Sequence, residues 1–348
     1  MRVLTVQPAA ADSARLEQVP EPVADPGTVL IQALALGICG TDHEIVGGQY
    51  GWAPPGRDRL VLGHESLGCV ADAPTGSGFG AGDLVVGIVR LPDPEPCASC
   101  AVGEWDMCRN GLYTEHGIKE RDGFAAEWFR LPPERVVRMD SALGIAGVLL
   151  EPTSIVAKAW EHTERIGRRA RWEPRRVLVT GAGPIGLLSA LLGVQRGLEV
   201  HVFDRVTEGP KPDLVRVLGA TYHTGSLEDL EFDVDVVLEC TGAPAVVAEV
   251  IGRTRRNGIV CLTGVSSGGR RTPVDLGLLN RTMVLENDVV FGSVNANRRH
   301  YEAAGAALAA ADRSWLERLI TRRVPLKRWA DALERRPDDV KVVIDFTQ

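Results

Sequence analysis

Apolar residues follow two different rhythms along this chain. Up to about Leu131 they come in short β-branched runs broken by Gly and Pro, at residues 29–34, 66–70 and 83–89, which predicts an all-β region. Beyond Glu151 a long amphipathic helix is expected over residues 155–165. Apolar strands then follow at 177–180, 199–203, 234–239, 259–262 and 289–293, separated by helical segments. Such alternation implies a parallel, doubly wound sheet. Past Tyr301 the pattern loosens into helices over 301–311 and 316–321 and a strand at 341–344. The expected class is α/β, with a β-rich domain from residues 1–154 and 301–348 and a parallel-sheet domain of the Rossmann type over 155–300.

A length of 348 residues with 45% apolar content exceeds one ordinary core and suffices for two. The net charge of -7, with scattered basic residues, argues against nucleic acid as a partner, since phosphate binding needs clustered Lys and Arg. No apolar run is read as approaching the roughly 18–20 residues that span a bilayer. The chain starts directly in strand-like sequence, so no membrane association and a cytoplasmic location are expected. Of seven cysteines, three crowd together as Cys97, Cys100 and Cys108, a spacing that suits metal ligation in a reducing compartment.

Gly181-Ala182-Gly183-Pro184-Ile185-Gly186 directly follows an expected strand and opens a helix. In that context the first glycine makes the tight turn, the second lets backbone approach a pyrophosphate, and the third lets helix and strand pack closely. Pro184 suits the first helical turn, and the helix N-terminus favours an anion. Asp204, at the end of the next strand, is placed to accept hydrogen bonds from the adenosine ribose and to repel a 2′-phosphate, which favours NAD. Arg205 beside it and Lys211 downstream form a cation pair that keeps NADP open, although both read first as solvated loop charges.

Two further segments, Gly37-Ile38-Cys39-Gly40-Thr41-Asp42 and Gly63-His64-Glu65, offer a thiolate, an imidazole and a carboxylate at strand-to-loop transitions. Glu151 adds an acidic group before Pro152. Catalytic zinc takes about three protein ligands and keeps one position open. The cysteine lobe is separate: Cys97, Cys100 and Cys108 lie in a Pro-rich loop, and Asp93 has the reach and charge to complete a structural zinc site.

The order of these motifs resembles the zinc-containing medium-chain dehydrogenases across essentially the whole chain. Tyr113-Thr114-Glu115-His116-Gly117-Ile118, Leu150-Glu151-Pro152-Thr153-Ser154 with Lys158, and Gly292-Ser293-Val294-Asn295-Ala296-Asn297 narrow the resemblance to the glucose dehydrogenase branch. The resemblance implies a GroES-like catalytic domain joined to a Rossmann domain. It also implies catalytic zinc held by Cys39, His64 and either Glu65 or Glu151, and Thr41 holding the reacting hydroxyl. Glu115, Glu151 and Asn295 would contact the sugar, and Thr241, Gly264, Ser293 and Asn295 would join the cofactor site. Two departures stand out: Pro94 occupies the place where many relatives have the first lobe cysteine, and Asp204 differs from the neutral residue of NADP-selective members.

The implied reaction is oxidation of the C1 hydroxyl of an aldose such as glucose to the aldonolactone, by a homodimer or homotetramer. A polyol, cyclitol or amino-sugar dehydrogenase with the same zinc chemistry is the nearest alternative. A zinc-free NAD(P)H-binding regulatory protein is a more distant one.

Overall fold

A computed structural model describes residues 1–266 and 272–348. The chain divides into two units, one made of residues 1–154 with 296–348, the other of residues 155–295. The chain therefore returns to the first unit somewhat before the expected residue 301. Asn297 gives the local reason, because it caps helix Arg298–Ala309 through the Arg299 N–H and so starts that helix earlier than periodicity suggested.

The first unit is built on strand Val29–Ile38. This strand pairs antiparallel with Glu65–Asp72, Lys341–Asp345 and Trp128–Leu131 within a seven-stranded sheet. Alternate residues Val29, Ile31, Ala33 and Ala35 are buried, as a half-buried strand requires. Register then decides chemistry: Gly37 faces Glu65 and Ile38 faces Val342. That brings residues 38–39, 64–65 and 341 to one end of the sheet. Gly37 is needed there, since a Cβ would stand 2.0 Å from Glu65 Oε2.

The second unit is a six-stranded parallel sheet in the order Thr221–His223, Glu199–Phe203, Arg176–Thr180, Val234–Glu239, Thr254–Leu262, Val289–Gly292. This is the doubly wound dinucleotide-binding order. Thr221–His223 was not anticipated, because three mixed residues carry no periodic signal. Near the C-terminus the expected helix 316–321 is instead Arg313–Leu319, capped by Asp312, and Thr321 belongs to strand Ile320–Pro325.

The reading that no apolar run is long enough for a bilayer needs correction. Helical stretch Ser141–Gly167 has a window of mean hydropathy 1.4, of which 78% is buried within the protein. Gly144 (φ 51, ψ -130) breaks its helical geometry. Burial of the window and this break fit a core helix.

Candidate active site

Cys39 ends the central strand and caps the short helix Gly40–Val46: its Sγ accepts the Thr41 N–H at 3.3 Å. The same sulfur lies 3.0 Å from His64 Nε2. A sulfur, nitrogen and oxygen donor set forms here, because ligand atoms of Cys39, His64 and Glu65 all lie within 4.8 Å of one another. Thiolate, imidazole and carboxylate are the donor types that zinc takes, so these residues fit a zinc ion.

Burial opposes a charged His64 ring, but Cys39 and Asp42 outweigh it and hold the group well above its ordinary value. Asp42 Oδ1 is 3.5 Å from His64 Nδ1, and Asp42 Oδ2 accepts the Cys39 N–H at 2.9 Å. Burial likewise opposes the Asp42 carboxylate, yet His64 and the Cys39 N–H keep its pKa below the usual range.

Glu65 is gripped from behind. Lys341 Nζ donates to both of its carboxylate oxygens, at 2.8 and 2.6 Å, and to the Ile38 carbonyl at 3.1 Å. Both side chains are fully buried, where an ion pair is sustained only if each charge keeps its partner. Glu151, in the first turn of helix Leu150–Gly167, is buried too. Burial pushes its carboxyl up to about 7, with His64 opposing and Glu65 reinforcing the shift. Glu151 therefore belongs to the same electrostatic cluster as Cys39, His64 and Glu65.

Thr41 is half-buried beside Cys39. Glu115 is buried and ion-paired: Arg90 Nε and Nη2 each stand 2.9 Å from its Oε1, and Arg90 stacks 3.7 Å over the Tyr113 ring. A carboxylate read as a sugar contact is thus pre-oriented by a guanidinium that the sequence reading did not assign. Asp42 and Lys341 were missed as well. The Cys-x-x-Asp spacing of a capping box was available as a signal for the first, and a lone lysine opening an apolar strand for the second.

In the cysteine lobe, Cys97, Cys100 and Cys108 converge within 4.8 Å. The Arg109 N–H foremost lowers Cys97 to about 6, while burial raises Cys100 to about 11. Asp93 does not join them, contrary to the expected ligand set. Its Oδ1 accepts the Glu95 N–H at 2.9 Å and its Oδ2 the Asn110 amide at 2.8 Å. It orders the loop instead.

In the parallel-sheet unit, Gly181 (φ 88) makes the turn, and a Cβ on Gly186 would collide with the Gly181 carbonyl oxygen at 1.7 Å. A Cβ on Gly183 would meet nothing within 4 Å, and helix Pro184–Gln195 has no side-chain cap. The loop, with Ile185 in its first turn, thus presents bare backbone N–H groups suited to an anion. Asp204 Oδ2 accepts the Ala182 N–H at 2.6 Å and Oδ1 the Val206 N–H at 3.0 Å. Arg205 is exposed. Lys211 is not a solvated charge as expected, since its Nζ lies 3.7 Å from Asp204 with the side chain 16% exposed.

Thr241 donates through both N–H and hydroxyl to buried Glu239, and Gly264 packs so closely that a Cβ would stand 2.1 Å from the Gly242 nitrogen. Ser293 is buried, its N–H donating to the Leu262 carbonyl and its Oγ without a partner among the described residues. Asn295 adopts φ 61, and Lys158 ties the segment by donating to the Val294 carbonyl at 2.9 Å.

A β unit that gathers thiolate, imidazole and carboxylates, in a chain that also carries a doubly wound unit with a bare glycine loop, defines a zinc-type alcohol dehydrogenase architecture. Residues 25–141 match the alcohol dehydrogenase GroES-like domain, and residues 144–346 match the glucose dehydrogenase C-terminus. The chain belongs to the glucose dehydrogenase family. It is 39% identical to the glucose 1-dehydrogenase of Methanocella arvoryzae and 40% identical to that of Thermoproteus tenax, in each case over 99% of both chains. The glucose dehydrogenase of Haloferax mediterranei, solved in complex with NADP, zinc and gluconolactone, superposes with a TM-score of 0.92 at 32% identity over 100% of both chains.

Proposed function

We propose that this protein is a zinc-dependent glucose 1-dehydrogenase that oxidises the C1 hydroxyl of an aldose such as glucose to the aldonolactone, with NAD or NADP as acceptor. The observation that carries the reading is the 3.0 Å approach of Cys39 Sγ to His64 Nε2, with the Glu65 carboxylate within 4.8 Å of both ligand atoms. Bound zinc supplies Lewis acidity at the reacting hydroxyl, and the nicotinamide supplies the hydride acceptor.

The chain's own residues do the rest. Cys39, His64 and one of the two glutamates hold the metal. Lys341 holds Glu65 through two hydrogen bonds, while Glu65 is the glutamate whose carboxylate lies within 4.8 Å of the Cys39 and His64 ligand atoms. Thr41 Oγ1 receives the hydroxyl proton and begins its path outward. Glu115, oriented by Arg90, accepts hydrogen bonds from sugar hydroxyls. Gly181, Gly183 and Gly186 seat the pyrophosphate, Asp204 reads the ribose, and Ser293 and Asn295 orient the nicotinamide end.

The preferred cofactor is NAD. Lys211 beside Asp204 is the specific observation favouring use of NADP as well, since a cation there offsets the carboxylate's repulsion of a 2′-phosphate. A second zinc at Cys97, Cys100 and Cys108 belongs to the same reading, as does cytoplasmic assembly into a homodimer or homotetramer. Exposed Leu276, Leu278, Val284 and Leu285, with edge strand Val289–Gly292, support the assembly.

The test is a panel of aldoses, polyols and cyclitols followed by cofactor reduction at 340 nm, with zinc content measured in parallel. Lactone formation from glucose that disappears on chelation and returns with zinc is the expected result. Activity confined to polyols, or unchanged by metal removal, overturns it.

A further inference from the structure

The β-rich unit carries an open pocket of about 680 Å³ that none of the residues assigned above to zinc, sugar or cofactor lines. Its volume falls within the range of small-molecule pockets. Its walls are mixed: Val61, Trp128 and the edges of the largely buried Phe124 and Phe129 line it beside charged side chains, and the Phe124 and Phe129 rings stand 4.9 Å apart. An apolar body fills such a space by displacing water from those rings.

The charged lining is unbalanced. Asp122 is taken by Arg57 at 2.5 Å, and Glu17 by Arg59 at 3.4 Å, which leaves Glu120 as the lining acid outside these pairs. Against it stand two arginines. Arg121 has no ion pair among the described residues. Arg130 meets oxygen only at Asp25 and Thr28, through Nη1 at 3.4 to 3.5 Å. Arg121 is exposed and Arg130 half-buried, and neither guanidinium has a carboxylate partner among the described residues; a carboxylate is the acceptor that a guanidinium fork matches best.

We propose that this pocket is a binding site for an amphiphilic carboxylate, with its apolar chain among Val61, Phe124 and Phe129 and its carboxylate at Arg121 and Arg130. The site is separate from the zinc and dinucleotide residues, so the proposal stands independently of the dehydrogenase reading.

Decanoate, below its micelle concentration, serves as the probe in calorimetric titration of the zinc-loaded full-length protein. Saturable one-site binding is expected, with decanol at least about tenfold weaker because it lacks the charge. The double variant Arg121→Gln/Arg130→Gln should weaken decanoate by a similar factor and leave decanol within about twofold. A bromine-labelled decanoate should quench tryptophan fluorescence in the native protein and lose most of that quenching in Trp128→Phe, a readout that does not require the arginine variant to fold. Absence of saturable binding up to millimolar decanoate, equal affinity for decanol, or quenching unchanged in Trp128→Phe would each overturn the proposal.

Discussion

Asp42 Oδ1 lies 3.5 Å from Nδ1 of His64, whose other ring nitrogen faces Cys39 Sγ at 3.0 Å. A carboxylate behind a metal-facing imidazole fixes the ring's orientation and raises its basicity as a ligand. Asp42→Asn keeps an oxygen for the Cys39 N–H and removes the charge and the acceptor that face His64. Zinc affinity should fall by about 10–100-fold, as measured by competition with a fluorescent chelator, while the circular dichroism spectrum stays native.

The buried Lys341–Glu65 pair predicts an asymmetry between single and double variants. Lys341→Met strands the Glu65 carboxylate and should cost about 3–5 kcal/mol of stability in urea denaturation at fixed zinc. Lys341→Met combined with Glu65→Met removes both charges and should recover a large part of that loss. Equal stability of the single and double variants would show that the pair contributes through packing alone.

His116 predicts an acid dependence of stability. It is buried against Phe124, with ring centroids 4.7 Å apart, and burial lowers it from 6.5 to about 4, aided by Arg121 and Arg135 and opposed by the Asp122 carbonyl. The unfolded chain therefore binds this proton between about pH 6.5 and 4 while the folded chain does not. Its contribution is fully present above pH 6.5 and is lost as pH falls towards 4, on the order of 3 kcal/mol in all. Urea titrations at pH 7 and pH 4.5 should show a shallower acid loss in His116→Gln than in the native protein.

Cofactor choice should turn on Asp204 and Lys211 together. Asp204→Asn should lower the ratio of kcat/KM for NAD over NADP by about tenfold, because it removes like-charge repulsion of the 2′-phosphate. Lys211→Met should move the ratio the opposite way. A ratio indifferent to both substitutions would show that neither side chain reads the ribose.

Much of this arrangement was legible before any coordinates. Short-range rules carry the strands at 177–180, 199–203 and 234–239, and the glycine loop, because turn geometry and apolar alternation depend on neighbouring residues. Cys39, His64 and Glu65 were legible as donors because their residue types suit zinc, and their convergence follows from the pairing of Gly37 with Glu65.

By itself, then, the sequence determined two folding patterns, the glycine loop and the residue types that make Cys39, His64 and Glu65 candidate metal donors. Tertiary structure alone decided the partners of the charged site side chains. Lys341 reaches Glu65 across 276 positions, Arg90 takes Glu115, Asp93 turns to Asn110 rather than to the thiols, and Lys211 folds back onto Asp204. The physical reason is that backbone propensity acts within a few residues, whereas a buried charge finds its partner through sheet register and burial, which local sequence does not encode.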